Sequence, residues 1–333
     1  MSSLVLGFDL GGTKVSAAVF DHDNTIIGRA RAKTKASRSE DEVFATIVSV
    51  GRQAIESAGI DQKALAAIGI GSPGPLDPDT GHIIESANLP FKNFPLGPRL
   101  AEEFGCPVTL ENDVSAGTYG EFRAGAARGA KDVLGMFVGT GIGGGVIING
   151  AMYHGFNKNA GEIGHLVVEA GGARCNCGNR GCLEAYASRT AMTRQIKKAI
   201  KRGKKTLITE LVDKKADRIS SGALKEAFDA KDELVVKVVR RAANYIGIGI
   251  GSLVNVLSPE IVVLGGGVIE ALGDDILPRI ERSARKIAFE YAMKDVRIVK
   301  AQLGDDAGVI GAAKLAREAL TRSGDAATAA VGS

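Results

Sequence analysis

Residues 4–20 read LVLGFDLGGTKVSAAVF. Leu4–Leu10 has the near-continuous apolar pattern of a buried strand, Gly11-Gly12 supplies a turn, and Val15–Phe20 returns as a second strand. Asp23-Asn24 then turns the chain into a third strand, Thr25–Ala30. The fold class turns on the element after the glycines: a strand makes this a hairpin rather than the strand-to-helix unit of a dinucleotide-binding fold.

The same pattern recurs more than 100 residues later. Val133–Val138 is a strand, Gly139-Thr140-Gly141 a turn, and Gly144–Ile148 a returning strand closed by Asn149-Gly150, the strongest short hairpin signal. Two glycine-tipped hairpins suggest a duplicated α/β fold with two lobes. Between them, Ser39 and Glu42 form a capping-box signature for a helix to about Ala58, with Val43, Phe44, Ile47, Val50 and Ile55 on its buried face. Leu65–Gly71 reads as a strand ending in Ser72-Pro73-Gly74-Pro75, residues 77–98 as a Pro- and Gly-rich loop, and Val108–Glu111 as a strand running into a helix at Asn112-Asp113. Beyond the second hairpin, Leu183–Arg202 and Leu234–Leu257 have helical spacing. Ile261–Leu264 is a strand that enters Gly265-Gly266-Gly267 and a further helix, Val296–Lys300 is a strand, and Ala307–Leu320 is a last helix.

The chain has 333 residues, 45% hydrophobic and 24% charged, a soluble globular balance with length for two lobes. No apolar run reaches membrane-spanning length and no signal peptide is evident, so a cytoplasmic protein with no membrane partner is expected. A net charge of +4 permits anionic ligands without requiring them. The basic stretch 194–205 lacks interleaved aromatic residues, so it reads as a solvated helix face, not a nucleic-acid surface.

Three of the four cysteines lie within eight residues, which argues for a metal over disulfides in a reduced compartment. His165, Cys175, Cys177 and Cys182 have the spacing H-x9-C-x-C-x4-C. Three thiolates and an imidazole make a closed tetrahedral set suited to a structural Zn²⁺, with no open position for a catalytic water. A disulfide between Cys175 and Cys177, one residue apart, would be strained. Cys106 reads as an ordinary buried thiol.

The glycine turns are candidate phosphate loops. At the first hairpin tip, backbone N–H groups of Gly11, Gly12 and Thr13 can wrap a phosphate, and Asp9 could hold Mg²⁺ directly or through water. Gly139–Gly144 formally contains G-x-G-x-x-G, but the following strand excludes the Rossmann reading, and no P-loop motif occurs. Gly265–Gly267 could let an adenosine lie against backbone. Each loop could also be a plain turn. Asp113, where a strand meets a helix, is a candidate general base for phosphoryl transfer or else a helix N-cap. Glu162 and Glu184 flank the metal cluster and could accept hydrogen bonds from sugar hydroxyls or support the metal.

These residues resemble the ROK family (repressors, open reading frames and kinases), specifically its sugar kinases, from about Leu4 to Leu320. The motifs are Asp9-Leu-Gly-Gly-Thr13, Glu111-Asn-Asp113, Gly139-Thr-Gly-Ile-Gly-Gly144, Gly161-Glu-Ile-Gly-His165 and Cys175-Asn-Cys-Gly-Asn-Arg-Gly-Cys-Leu-Glu184. The last two together are the specific ones. The resemblance implies the actin-like, hexokinase-like ATPase fold, two ribonuclease H-like lobes with an interlobe cleft. It implies a small lobe of residues 1–112 with 305–321, a large lobe of 113–304 carrying the zinc loop 162–184, and a disordered tail, 322–333. It also implies ATP with Mg²⁺ as phosphoryl donor and a hexose phosphorylated at its 6-hydroxyl, glucose foremost, the first step of glycolysis. Asp113 would be the base. Ser72, Gly74, Asn88, Asn112, Glu162, His165 and Glu184 would hold the sugar, with His165 also on the zinc. Asp9, Gly11, Gly12, Thr13, Lys14, Thr140, Gly141 and Gly265–Gly267 would hold the nucleotide. Family members are expected as homodimers or homotetramers.

Lys158-Asn159-Ala160-Gly161-Glu162 departs from the Gly-Ala-Gly-Glu of most relatives, which should alter a hairpin tip more than chemistry. Repressors of the family carry a helix-turn-helix domain ahead of the first phosphate loop. Asp9, nine residues from the start, leaves no room for one. A dehydrogenase is excluded by the strand after Gly144, and a plain ATPase would not need the zinc and carboxylate cluster. N-acetylglucosamine, N-acetylmannosamine, fructose and mannose compete with glucose as substrate.

Overall fold

The computed structural model describes residues 4–34, 39–86, 88–212 and 218–331, with 323–331 described by backbone alone. It divides into two units, residues 1–129 with 152–160 and 305–333, and residues 130–151 with 161–304.

In the first unit, β1 (Leu4–Leu10), β2 (Lys14–Phe20) and β3 (Ile26–Lys33) form the expected antiparallel meander, with Val5 opposite Phe20 and Leu10 opposite Val15. Helix α1 (Glu40–Ala58) opens on a complete capping box. The Ser39 N–H donates to Glu42 Oε2 at 2.8 Å, and the Glu42 N–H donates to Ser39 Oγ at 3.3 Å. Its five predicted core residues are all buried, and Gly59 ends it in the left-handed conformation. Strand β4 (Leu65–Ser72) returns parallel to β1.

Residues 77–98, expected as a loop, instead carry β5 (Leu76–Asp77), β6 (His82–Glu85) and β7 (Lys92–Phe94) as a small three-stranded sheet, then the start of α2 (Leu96–Phe104). Ile83, Phe91 and Phe94 bury their side chains, with the two rings stacked at 4.4 Å; three apolar anchors suffice to order what composition alone presents as a loop. Strand β8 (Val108–Asn112) completes a sheet of order β3-β2-β1-β4-β8 and runs into α3 (Asp113–Ala124).

The C-terminal helix, Ala307–Val331, covers one face of this sheet. It approaches so closely that a β-carbon on Gly69 would strike the Ala312 carbonyl and one on Gly311 the Ala116 carbonyl. This packing, with Tyr119 hydrogen-bonded to Glu318, places α3 in the first unit and not in the large lobe expected to begin at residue 113. The helix also runs 11 residues past Leu320, through most of the tail expected to be disordered. Alanines at 326, 327, 329 and 330 favour that continuation, and residues 332–333 lie outside the described residues.

The second unit repeats the plan. Strands β9 (Val133–Val138) and β10 (Ile142–Ile148) pair antiparallel, and Asn149 and Gly150, both at positive φ, close the turn into β11 (Ala151–Met152). After a short 3₁₀ turn at Ile163–His165 come α4 (Glu184–Ala187), α5 (Arg189–Lys201), α6 (Ile208–Leu211), α7 (Ser221–Asp229) and α8 (Glu233–Leu257). The single helix expected over 183–202 is broken at Ser188, whose hydroxyl accepts from Ala191 N–H at 3.1 Å and starts α5 afresh. Strand β12 (Ile261–Gly265), α9 (Gly267–Ile287), α10 (Glu290–Met293) and β13 (Arg297–Lys300) complete a sheet of order β11-β10-β9-β12-β13. In each unit the fourth strand lies parallel to the first and the fifth parallel to the fourth. The strand orders are those of the duplicated ribonuclease H-like fold of actin-like and hexokinase-like ATPases, each unit with its own apolar core. Among the described residues no helix is long and apolar enough to cross a membrane.

Candidate active site

In the first unit the predicted residues fall at the C-terminal ends of β1, β4 and β8. Asp9 is the penultimate residue of β1. Burial pushes its carboxyl up to about 6, against the pull of Lys14 and with a smaller push from Asp305. The tip beyond it is held by Gly11 N–H donating to Lys14 O at 2.8 Å and by the Thr34 hydroxyl donating to Gly11 O at 2.9 Å. The Lys14 ammonium pairs with Asp305 at 2.9 Å. Gly12 lies so close to Asn88 that a β-carbon there would stand 2.7 Å from the Asn88 side chain. A candidate phosphate loop and a candidate sugar contact are therefore neighbours, which no sequence spacing indicated.

Ser72, Gly74, Asn112 and Asp113 come together because β4 and β8 pair in register, Ser72 opposite Asn112. A β-carbon on Gly74 would lie 3.9 Å from Asn112 Nδ2. The cap of α3 is made by Asn112, whose Oδ1 accepts from Val114 N–H at 3.0 Å and Ser115 N–H at 3.1 Å. Asp113 is the first residue inside the helix, with Oδ1 accepting from Val114 N–H at 2.9 Å. Its carboxylate therefore stands at the N-terminal end of α3.

Behind this group stands a pair that sequence reading missed. Glu111 is buried, its Oε1 accepts from Asn112 N–H at 2.8 Å, and its Oε2 takes the Nε2–H of His154 at 2.6 Å. The Glu111 hydrogen bond outweighs burial and raises the His154 pKa above its usual value. The two residues are 43 apart in sequence, and His154 carries no motif of its own.

In the second unit, His165, Cys175, Cys177 and Cys182 place one donor atom each within 4.8 Å of the others. Cys175 Sγ is 3.7 Å from His165 Nδ1, and Cys177 Sγ is 3.8 Å from Cys182 Sγ. Ligands bound to one tetrahedral zinc at the usual bond lengths stand about 3.6–3.8 Å apart, so the set fits that ion. Burial pushes the Cys182 thiol up to about 12, so holding it as thiolate calls for a cation beside it. The loop is braced from α8: Ala173 N–H donates to the Tyr186 hydroxyl at 2.5 Å, Tyr186 stacks on Tyr245 at 4.3 Å, and Tyr245 bonds Glu169.

His165 has its Nε2 3.9 Å from Glu162, on the opposite side of the ring from the thiols. Glu184 accepts from Ile142 N–H at 3.0 Å and lies 3.8 Å from Cys175 Sγ. It ties the cysteine loop to the second glycine hairpin. The tip of that hairpin is further clasped by the start of α5: Arg189 N–H donates to Gly139 O at 2.9 Å, the Thr190 hydroxyl to Thr140 O at 2.7 Å, and Arg189 Nη2 to Thr140 Oγ1 at 2.7 Å. Reading 183–202 as one helix hid Arg189, since only the Ser188 cap brings it to the hairpin. Gly266, at φ +83°, leads from β12 into α9 beside the end of β9, where a β-carbon would come within 2.7 Å of Val138 O. Gly265–Gly267 and Thr140–Gly141 thus converge on one end of the second sheet.

Known proteins bear on this arrangement. A glucokinase of Halalkalibacterium halodurans is 35% identical over 314 residues, 94% of both chains. The crystal structure of a ROK family glucokinase from Streptomyces griseus, in complex with glucose and AMPPNP, superimposes with a TM-score of 0.83 at 32% identity, covering 95% of this chain and 100% of that one. A putative xylose repressor of Caldicellulosiruptor is 30% identical over 309 residues, 92% of this chain but 76% of its own. The model of the ROK family matches residues 5–319, and the chain belongs to that family.

Proposed function

We propose that the chain transfers the γ-phosphoryl group of ATP to the 6-hydroxyl of a hexose, glucose foremost. The observation that carries this reading is the convergence of Ser72, Gly74, Asn112 and Asp113 at the strand ends, with helix capping delegated to Asn112. Phosphoryl transfer asks little covalent chemistry of a protein beyond position, charge and a carboxylate to accept the hydroxyl proton. Asp113 takes the proton as the sugar oxygen attacks. Asn88, Asn112, Glu162 and His165 orient the remaining hydroxyls, and Glu184 joins them by exchanging its Ile142 bond for a sugar hydroxyl. The two glycine hairpins and Gly265–Gly267 hold the nucleotide. Asp9 would hold the Mg²⁺ that accompanies ATP, which would supply neutralisation of phosphate charge.

His165, Cys175, Cys177 and Cys182 would hold a structural zinc, which supplies rigidity: it fixes the ring of His165 and the loop that leads through Cys182 to Glu184. A cytoplasmic location and a homodimer or homotetramer belong to the same reading. The similarity to glucokinases along nearly the whole chain supports glucose over the other hexoses.

The test is a coupled assay for sugar-dependent ADP release with glucose, mannose, fructose, N-acetylglucosamine and N-acetylmannosamine. The expected result is the highest kcat/KM with glucose. No sugar-dependent release with any of them would remove the kinase reading, and would favour a sugar-responsive regulator, the role named for the family's repressors.

A further inference from the structure

The Thr140 tip carries a guanidinium. Arg189 is partly buried at the first position of α5 and reaches back to Thr140 Oγ1. Burial holds its pKa below the ordinary value, and the neighbouring Arg218 lowers it further. Among the described residues no carboxylate forms an ion pair with Arg189; Glu184, the carboxylate on this hairpin, is turned to the Ile142 amide. A half-buried guanidinium at the tip of a glycine hairpin gains most from an anionic partner. The backbone contacts of Arg189 and Thr190 already tie α5 to the hairpin, so the side chain is not needed for that attachment. Its planar fork suits phosphate oxygens in two-point fashion.

We propose that Arg189 binds the phosphate chain of the nucleotide and distinguishes a triphosphate from adenosine. The proposal rests on the kinase reading above for the identity of the anion, and on the Arg189–Thr140 geometry for its place.

Arg189→Gln removes the charge while the backbone bonds of residues 189 and 190 to the hairpin remain, so it separates anion binding from support of the hairpin. Calorimetric titration of AMPPNP, tripolyphosphate and adenosine into wild type and variant, with the melting temperature as a control for folding, is the experiment. The expected result is affinity for AMPPNP and tripolyphosphate lowered roughly tenfold or more, with adenosine within about twofold and the sugar KM unchanged. Equal losses for AMPPNP and adenosine, or no loss for AMPPNP, would overturn the proposal. Arg189→Lys should recover part of the loss, since charge returns without the fork. If wild type transfers no phosphoryl group yet binds tripolyphosphate through Arg189, the kinase reading falls and the anion site stands. If transfer is normal and the variant's affinities are unaltered, the reverse holds.

Discussion

The hairpins β1–β2 and β9–β10 share a topology and a glycine tip, yet their surroundings differ in sign. The first is lined by acid: Asp9 is buried under it, and Asp305 pairs with its only lysine. The second is clasped by Arg189, and the Glu184 carboxylate beside it accepts from a backbone amide. The first tip offers a carboxylate to a cation beside its backbone N–H groups, and the second offers a guanidinium to an anion. Duplication of a strand order thus says little about what each copy binds; the residues added around each tip decide it.

That contrast can be broken in several places. The largest effect is expected at Asp113, which has no carboxylate counterpart at the second hairpin. Asp113→Ala should lower kcat roughly 100- to 10,000-fold with an unchanged melting temperature, and turnover near wild type would remove the proton-transfer role. Next is Asp9. A carboxyl whose folded-state pKa lies near 6 binds its proton more tightly folded than unfolded, so its charge is neutralised near pH 4 and destabilises the fold increasingly as pH rises through 6. Without nucleotide or divalent cation, Asp9→Asn should therefore gain up to about 3 kcal/mol against urea at pH 8 and nothing near pH 4. A gain that is independent of pH would contradict the acidic character assigned to the first tip.

Chelation of the metal, followed by metal analysis, should raise the sugar KM about 10- to 100-fold. Hydrogen exchange should quicken at residues 139–145, tied to the cysteine loop through Glu184, and stay constant at 9–14. Equal loosening of both hairpins would deny that the metal loop serves one of them. The smallest effect is expected at His154. Its raised pKa means that the bond to Glu111 stabilises fully below the ordinary histidine value and weakens as pH climbs past the folded-state value. His154→Gln should cost about 1–2 kcal/mol at pH 6 and less at pH 9.

Much of this was legible in the amino-acid order because local chemistry governed it. Gly11-Gly12 and Asn149-Gly150 marked hairpins that exist, Ser39 and Glu42 marked a capping box with both bonds made, and the four metal-site residues were grouped by spacing alone. What escaped depended on distance or on competition. The small sheet in residues 77–98 depends on buried Ile83 and stacked Phe91 and Phe94, which outweigh a loop-like composition. The placement of α3 follows from helix-on-helix contact with a segment nearly 200 residues away. Glu111–His154 and Arg189–Thr140 are pairings of single residues, and a single residue carries no periodicity.

The C-terminal helix has a consequence for how the protein is made. It is synthesised after the whole of the second unit, yet it covers a face of the sheet that begins at Leu4 and fits only against the bare backbone at Gly69. The first unit therefore waits for the whole of the second to be synthesised before that face of its sheet is covered. A chain that stopped before residue 307 would carry every candidate catalytic group and leave that face bare.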